Sequence, residues 1–211
     1  MGTDSPMTSK KRTRVPRGQA QEKILQAADE LFYQEGIHAV SVDAIVERAG
    51  INKMSVYRQF SSKTNLVIAY LKKKQAAFWQ EWEESMARHP DRPREQLVQF
   101  FADLADRASS QEFRGCCFIN VAVEFPDPAH PVRELVCAHQ KRIFDAFLER
   151  TVALGADNPR ELAYTLILLM KGTHADSQTY GTDNAAIQLL PSIVEKLLAA
   201  AVGADAGADS Q

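Results

Sequence analysis

Residues 49–67 read AGINKMSVYRQFSSKTNLV, and the fold follows from that stretch. Gly50 supplies the positive φ that a sharp chain reversal favours, and Asn52 is a side chain able to cap the helix that the following residues predict from 53 to about 59. On that helix Val56 and Phe60 face one side, while Asn52, Lys53, Met54, Ser55, Tyr57 and Arg58 supply an outer face of slim donors and one flexible apolar tip. Upstream, Ser41 caps a short helix whose Val42, Ile45, Val46 and Ala49 recur at the helical period. Before it, Ile24, Leu25, Ala28, Leu31 and Phe32 form one apolar stripe that Gly36 terminates. Three short helices with inner faces closed by Ile45, Ala49, Ile51, Val56 and Phe60 are the plan of a helix-turn-helix, whose second helix enters a DNA major groove.

Downstream, Ser61 or Ser62 caps a fourth helix running to about residue 87, roughly 40 Å at 1.5 Å per residue. Pro90 and Pro93 interrupt the chain, and later apolar stripes predict helices at about 94–109, 113–125, 131–153, 159–179 and 185–201. Pro191 is expected to kink the last of these or to open its regular part. No convincing period-two alternation or long repeat occurs. The expectation is an all-α chain of about nine helices: a tri-helical DNA-binding domain at 19–75 and a larger ligand-binding and dimerisation domain at 76–202. Residues 1–18 read as a flexible basic arm and 203–211 as a disordered small-residue tail.

Charge agrees with that division. The chain has 211 residues and a formal net charge of −2, yet residues 1–75 hold 13 Lys/Arg against 7 Asp/Glu, and the remainder holds 12 against 20. A basic front on an acidic body suggests that a polyanion meets one end only. Arg12, Arg14 and Arg17 of the arm are read as reaching a minor groove or as acting by charge alone. Lys72, Lys73 and Lys74 read as a solvated face. The most apolar stretch, at 162–170, is about half the roughly 20 residues of a spanning helix, so a soluble cytoplasmic protein without membrane contact is expected. Three cysteines, Cys116, Cys117 and Cys137, show no paired CxxC spacing and are expected to stay reduced, with a redox or electrophile response left open.

The front segment resembles the tetracycline-repressor (TetR/AcrR) family of bacterial transcriptional regulators. The match runs through ILQAADELFYQEGIHAVSVDAIVERAG and into the stretch quoted first, beside the family's usual A-G-V-S-K-G-x-L-Y-x-H-F-x-s-K-e-x-L, over about 60 residues. A weaker likeness lies in GCCFINVAVEFPDPAHPV. Carried over by position, the resemblance implies that Ser41, Tyr57 and Lys63 bind phosphates, that Asn52, Lys53, Met54 and Ser55 face base edges, and that Arg58 lies at the border. Tyr57 has a second reading as a packed core aromatic. Met54, Gln59 and the pair Thr64-Asn65 depart from the family pattern. The resemblance also implies a homodimer on a near-palindromic operator of double-stranded DNA, most often a repressor released by a small effector.

In the body, polar groups interrupt apolar helices at a few places. Asn120 and Glu124 fall one turn apart with Cys117 above them, His139 sits on a stripe with Val132, Val136, Ile143 and Phe147, and His174 on one with Ile167 and Met170. Each histidine reads either as a satisfied core residue or as a ligand contact. With Trp79, Trp82, Phe100 and Leu104, these residues (Cys117, Asn120, Glu124, His139, Ile143, Phe147, Met170 and His174) form the candidate pocket for an unknown small hydrophobic or amphipathic effector. Glu124, His139 and His174 lack local metal-ligand spacing, so neither metal nor cofactor is expected. Cys137 and His139 lie two residues apart, on opposite sides of a helix, and no GxSxG, P-loop, GxGxxG or HExxH occurs. An enzyme is therefore not expected. The competing reading is a DNA-binding dimer that is ligand-blind or responds through its thiols.

Overall fold

The computed structural model of the chain describes residues 17–180 and 184–203. Those residues form nine helices and no strand: α1 Arg17–Glu35, α2 Val42–Ala49, α3 Lys53–Phe60, α4 Lys63–Ala87, α5 Pro93–Ala108, α6 Cys117–Glu124, α7 Pro131–Ala153, α8 Pro159–Tyr180 and α9 Ala185–Ala201. The first helix begins at Arg17, two residues inside the stretch read as an arm. Arg12 and Arg14 lie outside the described residues, as do 204–211 of the tail.

Local chemistry sets the boundaries. Ser41 Oγ accepts the Ala44 N–H at 3.1 Å and Asn52 Oδ1 accepts the Ser55 N–H at 2.8 Å, each relieving an orphan donor of a short helix. Between them Gly50 adopts φ 63° and ψ 32°, and its N–H reaches back to the Glu47 and Val46 carbonyls, closing α2 with a left-handed cap. Of the two serines that precede α4, Ser62 is the cap, and its Oγ accepts the Asn65 N–H at 3.1 Å. Ser61 instead holds a positive φ of 63° in the link from α3.

The sixth helix is shorter than the stripe at 113–125 suggests. Gly115 has φ 73°, outside helical space, and a Cβ there would stand 3.1 Å from the His174 carbonyl oxygen. Residues 113–116 therefore belong to no helix, and α6 starts only at Cys117. Pro191 lies inside α9, which is assigned as one helix from Ala185 to Ala201.

Two apolar cores share α4. Leu66, Val67, Tyr70 and Leu71 pack with α1–α3, and that core continues into Phe118 and Val121 of α6 and Val132 and Val136 of α7. Trp79 and Trp82 belong to the second core, with α5, α8, α9 and the later part of α7. Fully burying a side chain of this size contributes about 1.5–3 kcal/mol, so Phe118 and Val121 anchor α6 in the core that the DNA-binding module shares with α7. That placement matters for the site.

Candidate DNA-reading surface and effector pocket

The reader helix presents a mixed outer face. Met54 is 77% exposed and Tyr57 43% exposed, which removes the core-aromatic reading of Tyr57. Lys53 is fully at the surface, with Nζ 2.9 Å from the Asp43 carboxylate, and that hydrogen bond raises its pKa. An exposed pair of this kind is worth little in water and holds the lysine against α2 until a stronger anion competes. Arg58 is exposed and donates to Ser55 Oγ at 3.1 Å. Ser41 and Asn52 are also exposed, and their side-chain oxygens accept the capping N–H groups just described.

One sequence expectation is corrected here, and a second residue has a partner that the sequence did not show. Ser55, expected to face base edges, is only 6% exposed, and its hydroxyl donates to Asn52 Oδ1 at 3.0 Å. It belongs to the inner side of the turn because residue 55 lies next to Val56 on the face that packs against the core. Lys63, expected at a phosphate, is half-buried and donates to the Ile37 carbonyl at 2.6 Å. Burial lowers its pKa, and the ammonium ties the start of α4 to the α1–α2 loop.

That same loop is held from the other side by α6. Glu124 accepts the Ile37 N–H at 2.9 Å on Oε1 and the His38 N–H at 2.6 Å on Oε2, and the His38 ring approaches to 3.2 Å. Gly36 permits the approach, since a Cβ on it would lie 3.2 Å from Glu124 Oε1. A second tie joins α1 to the segment before α6: Tyr33 donates to the Gly115 carbonyl at 3.1 Å and accepts the Arg114 N–H at 2.8 Å. Charged acceptors on backbone N–H groups are among the stronger hydrogen bonds in a protein.

Between α4, α5, α6, α7 and α8 lies a cavity of about 270 Å³, near the lower end of the roughly 300–1,000 Å³ of small-molecule sites. Phe100, Leu104, Cys117, His139, Ile143, Met170 and His174 of the expected set line it. Trp79, Trp82 and Phe147 do not. They are buried in the second core, where Trp82 contacts the Phe100 and Phe147 rings at centroid distances of 5.0 Å. Asn120 and Glu124 also face away from it. Asn120 donates to the Arg114 carbonyl at 2.9 Å, and Glu124 clamps the loop, because both fall on the side of α6 turned toward α1.

The structure adds residues that no periodicity singled out. Tyr33 and Lys74 reach the cavity from the DNA-binding side, Phe118 from α6, and Glu81, Arg107 and Lys171 supply charges along its wall. Charged side chains on half-exposed helix faces read as solvated in a sequence, and only the packing of five helices turns them toward one space.

Both histidines in the cavity are held neutral. Burial pulls His139 and His174 down to about 4, with Arg142 pushing His139 the same way. For His174, the Met170 carbonyl one turn earlier and the Arg107 guanidinium act more weakly, in opposite senses. His139 stacks on Phe118 at 3.8 Å and lies 3.3 Å from Gln75 Nε2, so it combines a core position with a pocket face. Burial also pushes the Cys116 and Cys117 thiols above their ordinary value, which keeps them protonated and weakly nucleophilic. Cys137 is exposed on α7. Among the described residues no group of three metal-ligating side chains forms, and no helix is long and apolar enough to cross a membrane.

Comparison with known proteins agrees with this arrangement. Residues 24–70 match the profile described as "Bacterial regulatory proteins, tetR family", and residues 93–192 match "Tetracyclin repressor-like, C-terminal domain". The HTH-type transcriptional activator FasR of Mycolicibacterium smegmatis is 30% identical over 174 residues, covering 81% of this chain and 76% of FasR. The HTH-type transcriptional repressor ComR of Escherichia coli is 28% identical over 163 residues, 75% of this chain and 78% of ComR. Among solved structures, a TetR-family transcriptional regulator from Streptomyces coelicolor superposes with a TM-score of 0.84 at 28% identity, over 88% of this chain and 97% of that one. A helix-turn-helix at the front, a tetracycline-repressor-like body and relatives named as transcriptional regulators agree: the chain is a transcriptional regulator and belongs to the tetR family of bacterial regulatory proteins.

Proposed function

We propose that the protein is a homodimeric repressor that binds a near-palindromic operator and is released when a small hydrophobic or amphipathic effector fills the α4–α8 cavity. The observation that carries this reading is the position of α6. Cys117, Phe118 and Ile119 at its start line the cavity, and Glu124 at its end grips the loop ahead of α2. An eight-residue helix is a rigid rod of about 12 Å. Its displacement by a ligand acts on Ile37 and His38 and, through the Ile37 carbonyl, on Lys63. Release requires the effector to bind the DNA-incompetent arrangement more tightly, by about 1–3 kcal/mol for a 5- to 150-fold effect.

Dimerisation is supported by α8 and α9. Leu168 is 67% exposed and Leu189 57% exposed, with Tyr164 and Ile193 also at the surface, a larger contiguous apolar face than an isolated surface helix needs. Pairing two copies of this face across a two-fold axis makes a four-helix bundle and sets two α3 helices toward successive major grooves, about 34–36 Å apart. Within each reader, exposed Asn52, Lys53 and Met54 face base edges, Ser41 and Tyr57 meet phosphates, and Arg58 lies at the border.

Selection of bound duplexes from a random pool, followed by a screen of compounds that release the selected DNA, tests the reading. A recovered palindrome and a releasing compound are expected, and a dimer that no compound releases from DNA points to the ligand-blind alternative. A second output, activation, is favoured by the similarity to FasR, which is named an activator. Reporter transcription from the selected site, with and without the protein, separates repression from activation.

A further inference from the structure

From the charges that line the cavity, we infer that the effector is a small aromatic organic anion, with its ring among the phenylalanines and its acid group against Arg107, Lys171 and His174. This inference rests on the effector-binding reading above and adds the chemical class.

The apolar part of the site selects flat rings. Phe78 of α4, Phe100 of α5, Phe113 of the segment between α5 and α6, and Phe118 of α6 line one space. Phe78 meets Phe100 edge-on at 6.3 Å and His139 edge-on at 5.2 Å, so ring edges and faces both border the cavity. Aromatic pairs of this geometry add about 0.5–1.5 kcal/mol beyond burial.

The polar part gathers at the α5–α8 side. Lys171 and His174 stand one turn apart on α8 and therefore share a face. Phe113 stacks parallel to the His174 ring at 5.7 Å, and the Arg107 guanidinium on α5 is near enough to act electrostatically on His174. Lys171 acts in the same way on Cys116, the residue after Gly115, where a Cβ would crowd the His174 carbonyl. The three side chains thus border the same cavity.

Their partners leave them available. Arg107 meets Glu81 at 3.5 Å across a half-exposed surface, a long and weak pair. His174 Nδ1 is buried and makes no hydrogen bond of normal geometry, a group that a bound acceptor or donor would satisfy. The remaining cation of the lining, Lys74, is held by Asp29 at 2.5 Å and stays out of the count. Glu81 is the one carboxylate among the described lining residues, against Arg107 and Lys171, so an anion is attracted and a cation repelled. The first turn of α6 borders the same space, and the positive end of a helix acts in the same direction.

A charge series on one ring tests this: 2-naphthoate, 2-naphthamide and 2-naphthylmethylammonium, titrated calorimetrically into the full chain. The anion is expected to bind at least about tenfold more tightly than the amide, as one charge-assisted hydrogen bond allows, and the ammonium more weakly than either. Lys171→Gln and Arg107→Gln should each reduce the preference for the anion while leaving amide binding within about twofold, with unchanged helical circular dichroism as the folding control. Amide or ammonium binding as tight as the anion overturns the anion class but keeps an effector pocket. If none of the three binds, the aromatic-anion inference falls. The wider compound screen then decides the effector reading separately, since a neutral aliphatic ligand found there would leave that reading standing.

Discussion

The carboxylate of Glu124 on α6 accepts the backbone N–H of Ile37 at 2.9 Å, across 87 residues of sequence, and so joins the C-terminal body to the loop that feeds the DNA-reading helices. Its other oxygen takes the next N–H, that of His38, at 2.6 Å. Replacing Glu124 by Ala leaves two backbone donors without their charged acceptor. Each such bond contributes about 1.5–3 kcal/mol when one partner is ionised, and water reaches the site in the variant. We expect Glu124→Ala to lower unfolding free energy by about 1–3 kcal/mol in urea titration. The sharper outcome concerns coupling: the effector should still bind, but release of DNA by saturating effector should weaken severalfold. Undiminished release would show that α6 acts through another contact.

On the reader helix, Lys53 and Ser55 should separate in their effects. Lys53 is exposed and paired with Asp43, so Lys53→Ala is expected to weaken operator binding and reduce the slope of log affinity against log salt by about one. Ser55 is buried with its hydroxyl on Asn52, so Ser55→Ala should cost about 1 kcal/mol of stability and leave the salt slope unchanged. Fluorescence anisotropy across a salt series, with thermal melts in parallel, distinguishes the two.

The exposed leucines of α8 and α9 predict the oligomeric state. Leu168→Glu combined with Leu189→Glu places charges on the apolar face while removing nothing from either core. Light scattering should give a dimer mass for the parent chain and a monomer mass for the double variant, and operator affinity should fall because two half-sites are no longer bound together. A monomeric parent would overturn the proposed assembly.

Acid should weaken the fold through its two buried histidines. Both have folded pKa values pulled from the ordinary 6.5 down to about 4 by burial. The unfolded chain therefore binds more protons between those values, so their contribution is complete above pH 6.5 and is lost as pH falls toward 4. At about 1.4 kcal/mol per pKa unit, the loss is of order 3 kcal/mol for each histidine. Urea titrations at pH 7.5 and 5 should show the decline, and His139→Gln should remove about half of the histidine part of it. A stability unchanged between those pH values would mean that the rings are more hydrated than their burial implies.

Much of the reader was legible in the residues alone. Ser41, Gly50 and Asn52 act within three or four positions of themselves, and a cap or a left-handed turn is a local property, so α2, the turn and α3 are found where their sequence signals stand. Ser55 was misplaced because the spacing between 53 and 57 does not say which of two neighbouring faces the rest of the domain covers. The pocket was legible only in part. Apolar periodicity finds residues that are buried, and it found Phe100, His139, Ile143 and Met170, but burial is shared by cavity walls and solid core. Trp82 and Phe147 have the same signal and sit in solid core.

By itself the sequence determined the helical class, the tri-helical reader, its caps and glycine turn, and the basic front, because these depend on chemistry within a few residues or on simple charge counts. Only the tertiary structure decided that Glu124 faces the α1–α2 loop, that Lys63 is tied to Ile37, and that Arg107, Lys171 and His174 border one cavity. Those relationships join residues far apart in the chain, and a side chain's neighbours across such a distance are set by how helices pack, which no local pattern records.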